Sequence, residues 1–452
     1  MLRQHAIQIE DLKAEVAELR ERLSQNSRNS SLPPSSDQLS HQRKLEKRPT
    51  GRLRGAQAGH PDHGRRLKPA AEIDHIVELR PVRCAQCGQL LLGHDPLPER
   101  HQVSEIPPAK AEVTEYRRHI LCCLACGAKN QAQWPKQMPK GSFGPRAQGI
   151  ISYLTGRLGV SHRDTAEVLE VLHGLRMSPG NVSAMQQRVR RALAEPVAAA
   201  QQFVQQQQSQ YVDETGWQQS GQQKWLWVNA TRDVTVFKVL PGRRTRDAQE
   251  IISKSARGVV TTDRYGAYNW LGERRRQLCW APIQRDFQAM AERPGDSAQV
   301  GRELIEQSKQ MFRLWYEVRA GTLSRREFTV ALQPIQQQVK KLLDVGSRSE
   351  HRKTDRTCQR IMRVEKCLWT FVGVEGVEPT NNVAEPLLRR AVLWRRRSFG
   401  TQSARGSEFV ERILTAVTTL RQQGRDVLAY LTSVCCGVSS DEVSKSLIPG
   451  SS

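Results

Sequence analysis

The sequence predicts a multidomain α/β protein: a mixed sheet with helices on it, interrupted by an all-α insertion and preceded by a coiled coil, a zinc ribbon and a helical module. Three observations carry that prediction. Residues 206–290 read as a hairpin followed by alternating helix and strand, the pattern of a sheet with helices packed on it. Residues 291–378 lose all strand character and turn helical and rich in Gln, Arg and Lys. Ahead of both stand a heptad repeat and two CxxCG turns.

Residues 1–25 place Leu2, Ile9, Val16 and Leu23 at one core position and Leu12 and Leu19 at the other, with Glu, Lys and Arg around them. That spacing predicts a short coiled coil suited to oligomerisation. Residues 26–75 are dominated by Ser, Asn, Pro, Gly and basic side chains, beginning "NSRNSSLPPSSDQLS". They lack the apolar content for a core and predict a disordered basic linker able to lie along phosphates. Residues 76–140 hold "RCAQCGQLL" and "HILCCLACGAK". Cys84 and Cys87, with Cys123 and Cys126, make two knuckles whose following glycines permit a left-handed turn. Two such turns supply a tetrahedral, closed, structural zinc site, with Cys122 as a spare neighbour. Residues 141–205 predict two helices, the first capped by Ser161 and carrying Ala166, Val168, Leu169 and Leu172 as its apolar stripe, the second ending in arginines. Helix, glycine-containing turn and basic helix outline either a helix-turn-helix that meets DNA or an ordinary helical hairpin.

In the sheet region "YVDETGW" is a strand ending in carboxylates, and "KWLWVNATRDVTVFKVLPG" is two strands around a tight turn. "RDAQEIISKSA" is helical, "GVVTTD" and "QLCWAP" are strands, and "IQRDFQAMAER" is a helix. After the insertion, residues 379–435 carry Glu385 near the start of a helix that Asn381 or Asn382 could cap. Residues 436–452 predict a flexible tail.

The chain has 69 Lys+Arg against 46 Asp+Glu, a formal charge of +23. Such an excess draws a protein toward polyanions, nucleic acid above all. No apolar run reaches the roughly 18 residues of a membrane span. The opening "MLRQHAIQIEDLKAEV" lacks a signal-peptide core. A soluble cytoplasmic protein with no membrane partner follows as the expectation, and its 10 cysteines then argue for metal or free thiols over disulfides.

Strand ends of open α/β sheets collect catalytic groups. Asp213 is expected to end the first strand of the sheet and Asp263 the strand after the first helix. On neighbouring strands both would project from one edge, and a third carboxylate from a helix would complete a site for two magnesium or manganese ions acting on a phosphodiester. Glu214 is expected on the opposite face by strand alternation, Asp286 at the surface, and Trp225 and Trp227 in core packing. Arg389, Arg390, Arg395, Arg396 and Arg397 cluster near Glu385 and suit phosphate binding, because arginine matches phosphate bidentately.

The order of "NSRNSSLPPSSD", "GAQAGHPDHGRR", the two CxxCG knuckles, "YVDETGW", "TTDRYGAY", "LCWAPIQRDF" and "NNVAEPLLRRAVLWRRRSFG" resembles the DDE transposases of the insertion-sequence-66 family along nearly the whole chain. The resemblance implies a ribonuclease-H-like catalytic core interrupted by a helical insertion. It implies a magnesium-binding triad on Asp213, Asp263 and Glu385, and DNA partners in the element's terminal repeats and the target. A homo-oligomer, accessory proteins of the same element and association with the nucleoid fit the same picture. Pro282 stands where the family usually has histidine, Pro386 where arginine commonly follows the glutamate, and Arg390 where proline is usual. The function expected is cleavage at element ends and 3′-hydroxyl strand transfer. The alternatives are a catalytically inactive, transposase-derived DNA-binding protein and a nuclease of ribonuclease-H type.

Overall fold

A computed structural model describes residues 2–30, 67–135, 138–139, 141–436 and 445–450. The chain forms two compact units, Gln42–Lys110 and the remainder. Most of the basic linker (residues 31–66) and of the tail (437–444 and 451–452) falls outside the described residues. In the smaller unit a bridge between Arg83 and Leu90 flanks the first CxxCG turn.

The larger unit begins with α1 (Leu2–Leu23). Ile9, Leu12, Val16, Leu19 and Leu23 of its heptad are exposed. Its last turn is tethered through Glu21, which pairs with Arg293 at 3.0 Å and Lys353 at 2.6 Å. Strands β1 (Ile120–Cys122) and β2 (Lys129–Gln131) form an antiparallel hairpin around the second CxxCG turn. The stretch "AEVTEYRRHILC" alternates like a strand in sequence, yet only Ile120–Cys122 of it is strand.

Four helices follow: α2 (Pro145–Ser152), α3 (His162–His173), α4 (Pro179–Ala192) and α5 (Ala194–Gln206). Ser161 caps α3 as its sequence predicts, its hydroxyl accepting the Asp164 N–H at 3.1 Å. The expected apolar stripe is narrower than drawn. Leu169 is buried, but Leu172 is 61% exposed, because α3 packs on one side only, against α4 and the π-turn Tyr153–Arg157. Val182 and Met185 of α4 complete a small core with Phe143, Ile151 and Leu169, while Val189 joins the main core under the sheet. One helix thus ties the helical segment to the sheet.

The sheet is built from β3 (Ser209–Gln219), β4 (Gln222–Ala230), β5 (Thr235–Leu240), β6 (Val259–Thr262) and β7 (Arg276–Leu278), with α6 (Thr245–Ile252) crossing from β5 to β6. Its order is β5-β4-β3-β6-β7. β4 runs antiparallel to both neighbours, and β6 and β7 run parallel to β3. β3 does not stop at Asp213. It pairs with β4 as far as Gln219↔Gln222, whereas its pairing with β6 ends at Tyr211↔Thr261. Asp213 therefore sits mid-strand, at the level where the parallel partner leaves the sheet.

The insertion comprises α8 (Asp296–Ala320), α9 (Arg325–Gly346), α10 (Arg352–Met362) and the single turn α11 (Thr370–Gly373), following α7 (Trp280–Ala291). It has an aromatic core of its own, in which the Trp315 and Phe371 rings lie 5.2 Å apart, edge to face. The chain returns through α12 (Ala384–Ser398), α13 (Ala404–Gln422) and α14 (Val427–Cys436). Gly400, between α12 and α13, has φ +93, and a Cβ there would lie 2.2 Å from the Gln218 carbonyl oxygen. Only glycine allows this loop to seat Thr401 against the end of β3.

α13 closes the β5 edge of the sheet in an unusual way. The outward N–H groups of Thr235, Phe237 and Val239 donate to Thr419 Oγ1, Thr415 Oγ1 and Glu411 Oε1, at 3.1, 3.0 and 2.7 Å. Acceptors four residues apart on one helix face match donors two apart on a strand, so the edge is covered rather than left to pair with another chain. Burial pushes the Glu411 carboxyl up to about 7, opposed by the Val239 N–H and by Lys238. A carboxyl raised on folding contributes stability at low pH that is lost as pH climbs through about 7. Glu411→Gln keeps an acceptor without the charge. Its melting temperature should match the parent at pH 5 and exceed it at pH 8.

Candidate functional site

Asp213 and Asp263 are brought level by the parallel β3/β6 register, which carried two residues past Tyr211↔Thr261 sets one opposite the other. Asp213 is half-buried, and its Oδ1 accepts the Glu214 N–H at 2.9 Å. Its carboxyl is pushed up to about 8, first by burial, then by the neighbouring Glu214, Asp263 and Glu385 carboxylates. One group thus feels all three other acids at once.

Asp263 leaves β6 into a tight turn, its Oδ1 accepting the Tyr265 N–H at 2.9 Å. The turn is fixed from below by Arg276, a buried guanidinium that donates to the carbonyls of Asp263 (2.9 Å) and Tyr265 (3.4 Å), to Asn269 Oδ1 and to Thr262 Oγ1. Oδ2 of Asp263 lies 3.7 Å from Arg243 Nη2.

Glu214 points to the face opposite α12, as alternation requires. There its side chain is 1% exposed, and each oxygen has a donor, Arg243 Nε on one and the Tyr268 hydroxyl on the other. Trp227 is fully buried against Tyr268, whereas Trp225 is half-buried beneath the Arg243 guanidinium. Asp286 is not a free surface aspartate: it is half-buried and bonded to Arg264, and burial raises its carboxyl.

Glu385 is exposed in the first turn of α12. No asparagine side chain caps that helix. Asn381 is buried and pins the helix start to the sheet instead, Nδ2 donating to the Val212 carbonyl at 3.0 Å and its N–H to Cys279 Sγ at 3.2 Å. Farther along, Trp394 stacks on Trp217 with centroids 5.3 Å apart and donates to the Thr155 carbonyl at 2.9 Å. These contacts fix the glutamate's helix over β3. Burial pushes the Cys279 thiol up to about 11, with smaller contributions from the Glu385 and Asp213 carboxylates.

The five arginines divide. Arg395 donates to the Gly216 carbonyl and Arg397 to the Leu158 carbonyl at 3.1 Å, so both hold the helix in place. Arg389, Arg390 and Arg396 are exposed.

Each CxxCG turn has the same closed form. Cys84 N–H donates to Gln89 O at 2.9 Å and Gly88 N–H to Cys84 O at 2.9 Å; Cys123 and Gly127 repeat this at 2.8 Å on Ala128 and Cys123. Gly88 and Gly127 have φ of +73 and +71. The Cys84 and Cys123 thiols are lowered, chiefly by the backbone N–H groups of Cys87 and Cys126 respectively, which readies them as thiolates.

For a divalent cation at the acidic site, the hard oxygen donors are of the right chemical type. Their spacing is open: among the described residues no three His, Cys, Asp or Glu side chains gather closely enough to hold a metal. Sequence reasoning missed Arg243, Arg276, Tyr268 and the pinning role of Asn381. The tyrosine stands in "TTDRYGAY", close after Asp263 in sequence; the arginines carried no local signal.

A family model described as the transposase IS66 family matches residues 141–409. A second, described as a family of unknown function, DUF6444, matches residues 2–66. Among curated proteins none matches. No helix among the described residues is long and apolar enough to cross a membrane. The first match runs from the loop before α2 to the first turns of α13 and takes in the whole sheet, Asp213, Asp263 and Glu385. This chain belongs to the transposase IS66 family.

Proposed function

We propose that the chain is a metal-dependent DNA transposase that cleaves at the ends of its element and joins the 3′-hydroxyl to target DNA, with Asp213, Asp263 and Glu385 as its catalytic carboxylates. The observation that carries this reading is the parallel β3/β6 register that sets Asp213 opposite Asp263 inside the part of the chain matched by the transposase IS66 family, with α12 bringing Glu385 back over β3. The mixed sheet, with β3 central and its acidic neighbour parallel, supports a ribonuclease-H-like core. Magnesium or manganese, when bound, supplies charge stabilisation at phosphorus and activates a water or 3′-hydroxyl. Asp213, Asp263 and Glu385 are the residues that would hold it. Arg389, Arg390 and Arg396 meet DNA phosphates beside the site, and the exposed heptad face of α1 supports a homo-oligomer.

The test uses labelled element ends with magnesium. Nicks that leave a 3′-hydroxyl, followed by joined products, are expected. Retarded but intact DNA would point to a binding protein without chemistry.

Zinc on Cys84, Cys87, Cys123 and Cys126 is the second part of the proposal, supported by the like backbone geometry within each turn and the lowered Cys84 and Cys123 thiols. Reduced protein should carry about one zinc per chain, the stoichiometry of a closed four-cysteine site. Cys87→Ser should lose it, along with protease resistance around residues 84–126. Metal analysis that finds no zinc in freshly purified native protein would remove this part.

A further inference from the structure

We infer that Phe399 is a stacking platform for an unpaired base of DNA, presented at the end of α12 by a loop clamped to β3. The inference rests on the reading of the chain as a transposase that binds DNA.

Phe399 combines an exposed ring with a strained backbone. It is 82% exposed, more than any other Phe, Tyr or Trp among the described residues. Its φ is +56, in the left-handed region, where a β-carbon crowds the backbone. The other non-glycine residues with positive φ among the described residues are both serines, Ser220 and Ser253. A bulky residue held there, with no burial to offset the strain, marks a position kept for something other than stability. The conformation is imposed from both sides. Ahead of it α12 ends with the Ser398 hydroxyl donating to the Trp394 carbonyl at 3.1 Å. Beyond it, the Thr401 N–H donates to the Gln218 carbonyl at 2.9 Å and the Thr401 carbonyl accepts the Ser220 N–H at 2.8 Å. The chain must therefore turn within Phe399 and Gly400. Charge selects the occupant. Between Glu385 and Glu408 the sequence has six arginines and no acid, which draws a polyanion to this stretch. An aromatic ring in a basic setting suits a single strand, the ring meeting a base and the guanidinium groups its backbone. α12 has 15 residues, about 22 Å at 1.5 Å per residue, so the base that meets Phe399 stands several nucleotides from the phosphate at Glu385.

The experiment is fluorescence anisotropy of the full chain at fixed salt, with a labelled oligothymidine strand and a labelled blunt duplex of equal length. Native protein is compared with Phe399→Ala, Phe399→Leu, Phe399→Trp and Phe399→Gly. Phe399→Ala and Phe399→Leu should each weaken strand binding by about fivefold or more, the worth of one base stacked on an aromatic ring, and leave duplex binding unchanged. Phe399→Trp should keep native strand affinity. Phe399→Gly should bind the strand as weakly as Phe399→Ala yet melt above native, because glycine removes the crowding at positive φ. Phe399→Ala with native strand affinity, or with equal losses for strand and duplex, would overturn the inference. Native strand affinity in Phe399→Leu would also overturn it, since an apolar contact would then suffice, as would a Phe399→Gly that melts below native, since the ring would then pack on the fold. Native protein that binds duplex but not oligothymidine removes the inference and leaves the transposase reading intact. Native protein that binds neither removes both.

Discussion

Asp213→Asn, Asp263→Asn and Glu385→Gln should each lower cleavage and strand transfer by orders of magnitude while leaving a folded protein that binds DNA. An amide keeps the shape of the carboxylate and removes the charge that holds a hard cation. Charge stabilisation at phosphorus is the largest contribution such a site makes, so losing one ligand should cost far more than losing one phosphate contact. The folding side of the prediction differs between positions. Asp213 is crowded by Glu214, Asp263 and Glu385, and burial disfavours its charged form, so Asp213→Asn should be neutral or stabilising in the absence of metal. DNA affinity should hold or improve, because a negative charge facing phosphate is gone. Gel retardation and a melting curve, beside the cleavage assay, separate these effects. A variant that cleaves within about tenfold of native would remove that residue from the set, given that loss of even one transition-state donor usually costs about 100-fold or more.

Trp217→Ala should destabilise the protein by about 3–5 kcal/mol, the usual cost of emptying a buried aromatic site. Trp217 is fully buried, stacks on Trp394 of α12 and donates to Thr401 Oγ1 at 3.3 Å. It is the joint between β3, the helix that bears Glu385 and the loop beyond Gly400. Its removal should loosen the glutamate as well as the fold. Trp217→Phe keeps part of the stack and loses the hydrogen bond, so it should cost less in stability yet still lower cleavage. Thermal unfolding and single-turnover cleavage on the same preparations check both statements. Full cleavage by a folded Trp217→Ala would show that α12 needs no such support.

The parts of this fold that read directly from sequence are those with local causes. Alternation and β-branched content marked β4, β5 and β6, Ser161 marked the start of α3, and the change to a helical period marked the insertion. Asp213 and Asp263 stood out because carboxylates next to apolar strands are costly unless used. Glu385 did not, since an acid in a first helical turn is ordinary; it came from likeness to known transposases. What stayed hidden depends on contacts between distant segments. Arg243 meets Glu214 across 29 residues and Asn381 meets Val212 across 169, and neither leaves a periodic trace. The extent of β3 was misjudged for a related reason: a tolerable aspartate in mid-strand looks like a strand end until the partner strands are known to end at different levels. Asn381 looked like a cap because asparagine before a helix so often is one, but a buried carbonyl of β3 claimed its side chain.

The central claim, that Asp213, Asp263 and Glu385 act as one metal-binding unit, is tested most directly by a crystal structure of the chain with a pre-cleaved element end and manganese, using anomalous scattering to locate the ion. Anomalous density within coordination distance of Asp213 and of both other carboxylates is the predicted result. Manganese bound elsewhere, or density that touches Asp213 while Asp263 and Glu385 remain apart from it, would contradict the claim.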